Sequence, residues 1–228
     1  MIWDNFHLYY YGSAIAVALD EATGTSYAED IDNANVTLHK TIYEGWNTIT
    51  IPFEATAEDF GGGSLYKFVG DDETTLHFET ASSIEPNVPY LLNATTPTEG
   101  VGTFTFNNVT VKAADGQTTE GTDYNFVGTY QLAIVADGDY ILGAKDDVVA
   151  FYRSKGGNKV KAYRAFVQKK VDADPARLSI FIDGTVTSID AIDGRVLNNA
   201  AIYNIAGQQV KNAQKGIYIQ NGKKIVVK

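Results

Sequence analysis

The sequence predicts an all-β protein: an antiparallel β-sandwich, jelly-roll-like, that ends in a small β-hairpin appendage. Three observations predict it. Helical periodicity is nearly absent from the 228 residues, short runs rich in β-branched and aromatic residues recur, and Gly, Asn, Asp and Pro separate these runs. Many short strands divided by turn residues are typical of sandwiches and jelly rolls. Hydrophobic residues make up 44% of the chain, which suits a globular protein with a packed core.

The central part of the chain carries the predicted strands. They are eleven runs, at 36–43, 46–53, 64–69, 74–79, 88–94, 102–112, 124–130, 139–143, 147–153, 160–168 and 176–183. Turn chemistry supports the boundaries: Glu44-Gly45 and residues 71–73 each separate two strands, and the Gly-Gly-Asn at 156–158 forms a third predicted turn. Residues 144–146 are the expected turn of a hairpin.

Two boundaries divide the chain into three predicted regions. Residues 1–35 comprise an alternating, strand-like segment that closes a preceding module, followed from residue 12 by a small, polar linker. The first residues lack the features of a signal peptide, so we expect a piece of a longer exported chain or a cytoplasmic protein. Residues 36–183 form the β-sandwich domain, and residues 184–228 form a second linker and the C-terminal β appendage.

Charge is distributed unevenly along the chain. The net charge is −10, yet residues 150–180 hold 8 basic and 2 acidic residues. An acidic balance argues against nucleic acid as a partner, because phosphate contacts need clustered Lys and Arg. The basic stretch is interpreted either as a solvated face or as an electrostatic partner for the acidic half. No run approaches the roughly 20 apolar residues that span a bilayer.

The C-terminal appendage is basic and carries a recognisable pattern. Strand-like runs occupy 201–205, 216–220 and 223–227, and Asn221-Gly222 is a strong signal for a type I′ hairpin. The stretch IYNIAGQQVKNAQKGIYIQNGKKIVVK resembles a short relative of the C-terminal sorting domain of type IX secretion in Bacteroidetes. This resemblance implies an extracellular or cell-surface location.

Two further stretches carry resemblances. NVTLHKTIYEGWNTITIPFEAT, followed by VPYLLNAT, GDYILG, FYR and AYRAFV, resembles an uncharacterised β-sandwich module near the C-termini of large surface proteins of the same bacteria. WDNFHLYYYG is similar to the closing strand of a jelly-roll module of the carbohydrate-binding or discoidin-like kind. Together they imply that other modules of the same chain are partners, with a glycan or a surface protein as a further partner.

No motif in the chain predicts a catalytic site. The histidines His7, His39 and His77 lie inside strand-like runs, far from any nucleophile motif, and they offer no close pair for zinc. The GGGS at 61–64 lacks the Lys of a phosphate-binding loop. Chance pairs among 28 acidic residues carry no specificity for a glycosidase. We therefore expect no catalytic residues.

Aromatic and acidic residues supply the candidate binding sites. Aromatic rings can stack on sugars, and the candidates are Trp3, Tyr9, Tyr11, Tyr152 and Tyr163, with core packing as the alternative. Carboxylates in loops can bind Ca²⁺, and the candidates are Asp30, Asp32, Asp137 and Asp139, with solvated turns as the alternative. No other cofactor is expected.

These observations favour a non-catalytic structural or adhesive module of a secreted or cell-surface bacterial protein. One alternative is a carbohydrate-binding module that stacks sugars on exposed Tyr and Trp. A second alternative is an accessory part of a glycoside-degrading enzyme. A planar row of exposed aromatic rings would favour the first alternative, and a deep pocket with two carboxylates would favour the second.

Overall fold

The computed structural model describes residues 13–145, 148–170 and 175–183, together with the backbone of five short strands after residue 184. The chain divides into two compact units, Met1–Ile189 and Asp190–Lys228. The strands of the first unit are β1 (Ile15–Asp20), β2 (Ile31–Lys40), β3 (Gly45–Ile49), β4 (Gly63–Asp72), β5 (Thr75–Ala81), β6 (Tyr90–Ala94), β7 (Gly102–Val111), β8 (Thr118–Glu120), β9 (Tyr124–Thr129), β10 (Ala133–Lys145), β11 (Val148–Val160), β12 (Arg164–Lys169), β13 (Arg177–Ile182) and β14 (Thr185–Val186).

A small sheet of three strands has the order β1-β2-β7. β1 runs parallel to β2, and β2 runs antiparallel to β7. Val17 and Leu19 of β1 are buried, as are Val36 and Leu38 of β2, and the residues between them are more exposed. This alternation is the pattern of a sheet that has one face on the core.

A large, curled sheet contains the other strands, in the order β3-β6-β4-β5-β13-β11-β10-β12-β9-β8, with β14 beside β13. β13 enters between β5, to which it is parallel, and β11, to which it is antiparallel. The curl brings the edge strand β3 against β12, although six strands lie between them in this order. Thr48 Oγ1 accepts from Ala165 N at 3.0 Å, and Thr50 N donates to Tyr163 O at 3.3 Å.

Two hydrophobic clusters fill the first unit, and β6 contributes to both. Tyr90 and Leu92 belong to the cluster that includes the small sheet, whereas Leu91 belongs to the cluster of the large sheet. All three are fully buried, which explains why β6 is apolar on both faces. The second cluster is rich in edge-to-face aromatic pairs, such as Phe78 with Phe126 at 5.6 Å between ring centroids.

The predicted fold class is confirmed, with a β-sandwich-like arrangement, and each of the eleven predicted strands has a counterpart. The sheets are mixed, because the β1–β2 and β5–β13 pairs are parallel. The structure corrects three local predictions. Residues 15–20 and 31–35 are strands of the small sheet, so the predicted linker is wrong there.

The Gly-Gly-Asn at 156–158 is also not a turn. It lies within β11, opposite β10, where the register shifts between Val135 and Asp137. Gly156 and Gly157 have φ of 82° and 77°, which is the left-handed region that favours glycine. The pair therefore forms an irregularity of the bulge type inside a long hairpin. Ala144 and Lys145, which were predicted as part of the turn of this hairpin, are strand residues that pair with Val149 and Val148, and residues 146 and 147 lie outside the described residues.

The second unit contains β15 (Ile202–Asn204), β16 (Gln209–Val210), β17 (Gly216–Gln220) and β18 (Lys223–Val227), in the order β16-β15-β17-β18. Gln220 pairs with Lys223, which leaves a two-residue connection between β17 and β18. That register is the one predicted for a hairpin at Asn221-Gly222. In the part of the chain that the structure describes, no helix has the length and apolar character needed to cross a membrane.

Candidate functional site

A groove of about 480 Å³ lies between the start of β3, the β10–β11 hairpin and the beginning of β12. Aromatic, apolar and basic side chains share its lining, which includes Tyr43, Trp46, Leu142, Lys159, Lys161 and Arg164. A groove with apolar walls and a few convergent polar groups is the usual form of a small-molecule site. This groove is therefore the candidate functional site.

Two aromatic rings form one wall of the groove. Trp46 is half-buried and packs against Tyr66, with ring centroids 5.4 Å apart. Tyr43 is 58% exposed, and the guanidinium carbon of Arg164 lies 5.5 Å from the centre of its ring. This distance is within the range of a cation–π contact. The wall thus offers aromatic surface to a ligand, with one ring held against a cation.

The turn that carries these rings is fixed by Asn47. Its side chain accepts from Tyr43 N at 2.9 Å and donates to Tyr43 O at 2.8 Å and to Gly45 O at 2.9 Å. Gly45 has φ of 77°, a conformation that an L side chain rarely adopts. Because the turn is held by three hydrogen bonds, we expect the aromatic wall to be ordered before a ligand binds.

A buried carboxylate anchors the basic side of the groove. Glu21 is only 1% exposed. Its Oε1 accepts from Lys161 Nζ at 2.9 Å and from Thr41 Oγ1 at 2.8 Å, and its Oε2 accepts from Arg164 Nη2 at 2.8 Å. Burial alone would raise the pKa of Glu21, but these hydrogen bonds and the charges of Arg164 and Lys40 outweigh it and lower the pKa to about 2. Glu21 is therefore ionised at neutral pH.

A second buried charge lies behind the same cluster. Lys40 is fully buried, and its Nζ donates to Tyr163 O at 2.9 Å. Burial lowers the pKa of Lys40 well below its usual value, the positive charge of Arg164 lowers it further, and Glu21 partly opposes this shift. Glu21 thus has three basic neighbours, Lys40, Lys161 and Arg164. These four residues form the Glu21 cluster.

The predicted aromatic site residues lie in different places. Trp3, Tyr9 and Tyr11 fall outside the described residues. Tyr152 is half-buried on β11, its hydroxyl donates to Val148 O at 2.8 Å, and it does not line the groove. The structure corrects the prediction that Tyr163 stacks on a sugar. It is fully buried, with its ring against Tyr130 and its hydroxyl bonded to Thr25, so it has no face for a sugar.

The four acidic candidates for calcium do not form one ligand set. Asp30 accepts from Lys112 Nζ at 2.7 Å and Asp32 accepts from Thr110 Oγ1 at 2.9 Å, both at the β2–β7 edge of the small sheet. On β10 of the large sheet, Asp137 pairs with an arginine and Asp139 accepts a backbone N–H. Within the described ranges, no three His, Cys, Asp or Glu side chains come together as a metal site. Each carboxylate instead has a protein donor.

Sequence reasoning missed most of the groove. Lys159, Lys161 and Arg164 belong to the stretch that was interpreted as a solvated face or as a partner for the acidic half, and Lys161 and Arg164 do pair with an acid from that half. Trp46 was not among the predicted binding residues, and it is half-buried at the groove. One available signal is the spacing of Tyr43 and Trp46, which flank the Glu44-Gly45 turn.

Acidic residues are few in the lining of the groove. Among its described lining residues, Glu44 is the one carboxylate. Glu21 lies behind the wall and is held ionised by its basic neighbours. The described lining therefore lacks the two facing carboxyl groups of a typical glycosidase site. Comparison of the chain with protein-family models, with curated proteins and with solved structures gave no match.

Proposed function

We propose that the protein is a non-catalytic, sugar-binding module with an adhesive role in a larger extracellular or cell-surface protein. The observation that supports this proposal is the aromatic wall, where Tyr43 and Trp46 lie beside polar and charged groups in one groove. The apolar face of a pyranose packs well on an aromatic ring, and its hydroxyls need hydrogen-bond partners nearby. The groove offers both kinds of contact.

A preorganised turn favours binding over a purely structural role. The hydrogen bonds of Asn47 restrict the turn between Tyr43 and Trp46 before any ligand arrives. An ordered wall loses less conformational entropy on binding, and the affinity for the ligand is higher for that reason. Tyr43 is 58% exposed, and a large exposed ring beside a concavity is more useful to a binding module than to a spacer.

Non-catalytic action is proposed because of the chemistry in the lining. The described lining residues include one carboxylate, whereas most glycosidases use two. The proposed location outside the cell is based on the resemblance of the C-terminal segment to sorting domains. Other modules of the same chain would then be the physical neighbours of this one, and a glycan would be its ligand.

The proposed function is tested by titrating the full chain with a panel of oligosaccharides in a calorimeter, together with a Tyr43→Ala variant. Stacking on an exposed ring contributes roughly 0.5–1.5 kcal/mol, so we expect a loss of affinity of roughly threefold to tenfold. Tyr152→Ala is the control, because Tyr152 lies outside the groove. An unchanged affinity in Tyr43→Ala combined with a loss of affinity in Tyr152→Ala would show that the sugar binds at Tyr152 and not in the groove. No binding to any saccharide would leave a purely structural role.

A further inference from the structure

We propose that the groove takes an acidic saccharide, with the carboxylate of a uronic acid lying against Lys159, Lys161 and Arg164. This inference rests on the proposed sugar-binding function and adds the chemical class of the sugar. The three basic side chains all line the groove, and they come from one stretch of the chain at the end of β11 and the start of β12.

Positive charges outnumber negative charges in the groove and in the wall behind it. The groove and the wall behind it contain Lys159, Lys161 and Arg164 as cations, and Glu21 and Glu44 as anions. These groups leave one positive charge in excess even when Lys40 is counted as neutral. The excess is local, because the whole chain has a net charge of −10. Such a local excess of positive charge can attract an anion at short range, although the net negative charge of the chain opposes its approach from a distance.

Arg164 has donors that none of the described residues uses. Both of its hydrogen bonds, to Glu21 Oε2 and to Thr41 O, are made by Nη2 at 2.8 Å. Among the described residues, none accepts from its Nε or Nη1. The side chain is 14% exposed and lines the groove. The Nε–H and Nη1–H bonds point in different directions, so each can donate a single hydrogen bond to an anionic oxygen, and the guanidinium adds its positive charge to the site.

The Glu21 cluster holds these donors in place. Glu21 fixes one end of Arg164 and also fixes Lys161 Nζ, while Tyr43 packs beside the guanidinium. An anchored arginine loses little side-chain entropy when it binds an anion. Lys161 is 48% exposed and Lys159 is exposed on the same rim, so both can add charge without being buried.

Glu44 is the one described group in the lining that opposes an anion. It is exposed on the turn beside Tyr43, where solvent and salt screen its charge. Aromatic rings next to an arginine also suit a uronic acid, because its ring stacks while its carboxylate reaches the cation. The geometry therefore assigns a stacked, negatively charged pyranose to the groove.

The test uses oligomers of galacturonate, glucuronate and mannuronate, each paired with its own carboxyl-reduced, neutral form. We expect at least one uronate to bind about tenfold more tightly than its neutral form, because a charged hydrogen bond is stronger than a neutral one. We also expect this preference to shrink as salt rises from about 50 to about 500 mM. A sulfated galactan oligomer is included to separate carboxylate from sulfate recognition.

Two variants and one matched control refine the test. Lys161→Gln and Lys159→Gln each remove a groove cation, and we expect affinity for the uronate to fall about threefold to tenfold while affinity for the neutral form is unchanged. Lys155→Gln removes the same charge from β11 outside the groove lining, and its affinity should equal that of the parent chain. Arg164 and Lys161 both pair with the buried Glu21, so Arg164 is left intact and the folding of Lys161→Gln is checked by urea denaturation before binding is measured. Lys159→Gln carries the test if Lys161→Gln fails to fold, because Lys159 takes part in none of the described ion pairs of Glu21.

The outcomes separate the two proposals. Equal binding of every uronate and its reduced form, or a Lys161→Gln variant with unchanged uronate affinity, would overturn the acidic-sugar inference and leave sugar binding intact. Preference for the sulfated oligomer over all uronates would overturn the assignment to a carboxylate. Failure of both charged and neutral oligomers to bind would overturn the proposed function itself.

Discussion

Two ion pairs of this protein have similar lengths and different surroundings. Lys67 Nζ lies 2.6 Å from Glu85 Oε1, and these side chains are 37% and 58% exposed. Lys161 Nζ lies 2.9 Å from Glu21 Oε1, but Glu21 is 1% exposed and also binds Arg164 and Thr41. The shorter pair is the one exposed to water, where solvent screening and the loss of side-chain entropy cancel most of its contribution to the free energy of unfolding.

Burial, and not distance, decides what each pair contributes. A carboxylate that is taken out of water has lost its hydration, so it depends on every protein donor that replaces it. Glu21 joins the end of β1 to residues about 140 positions later in the chain, whereas Glu85 only crosses between neighbouring loops and strands. Three substitutions and one change of pH test this contrast between a buried and an exposed ion pair.

Glu21→Gln should be strongly destabilising. The substitution keeps the shape of the side chain but leaves buried and half-buried cations without a counter-charge. Removal of one partner from a buried ion pair costs about 3–5 kcal/mol. Urea denaturation at neutral pH measures the free energy of unfolding. A loss below about 1 kcal/mol would show that the Glu21 cluster behaves like a surface pair.

The Glu21 cluster should also make the protein sensitive to acid. The folded state lowers the pKa of Glu21 from 4.5 to about 2, so its contribution is complete above pH 4.5 and is lost as the pH falls toward 2. The shift corresponds to roughly 3 kcal/mol. The stability of the parent chain should therefore fall more steeply between these pH values than that of Glu21→Gln. Parallel curves for the two proteins would contradict the assignment.

Lys40→Met should be neutral or stabilising, by up to about 2 kcal/mol at neutral pH. The substitution removes a buried amine whose charged form is disfavoured, and Met has a similar length. Tyr163 O loses the bond from Lys40 Nζ but keeps the bond from Thr50 N at 3.3 Å. Urea denaturation measures the change. A loss of more than about 1 kcal/mol would mean that the charge of Lys40 is needed beside Glu21.

Glu85→Gln should have the smallest effect. We expect a loss of no more than about 1 kcal/mol, because both partners of this pair are largely in solvent. The difference from the parent chain should disappear in about 0.5 M salt, since exposed charges are screened. The same salt should leave the effect of Glu21→Gln largely in place. A large, salt-resistant loss in Glu85→Gln would remove the contrast between the two pairs.

Local patterns predicted most of the strands and little of their arrangement. β3 and β6 were visible because alternation and apolar runs are properties of adjacent residues. β1 was missed because its sequence, IAVALD, is short and rich in small residues, and the preceding and following residues resemble a linker. The parallel pairing of Ser179 with Thr75 joins residues about 100 positions apart, and no local pattern encodes it.

In the candidate site, too, features set by neighbouring residues could be predicted and tertiary contacts could not. Tyr43 and Trp46 flank a turn that the sequence shows, so an aromatic wall at that turn could have been predicted. The contact of Glu21 with Lys161 is a tertiary contact, and the charge pattern indicated only that the acidic and basic halves would attract each other. For Tyr163, composition did not determine whether the side chain is buried, because an aromatic residue in a basic stretch can face either the solvent or the core.

The position of β13 has a consequence for how the chain folds. β13 completes the ladder between β5 and β11, yet it follows both of them in the sequence. A growing chain would carry β5 and β11 with one open edge each until Arg177–Ile182 became available. Such high contact order predicts slow folding, and open edges invite pairing with other chains. We expect a chain truncated before Arg177 to aggregate more than the full chain, because β13 no longer covers the edges of β5 and β11.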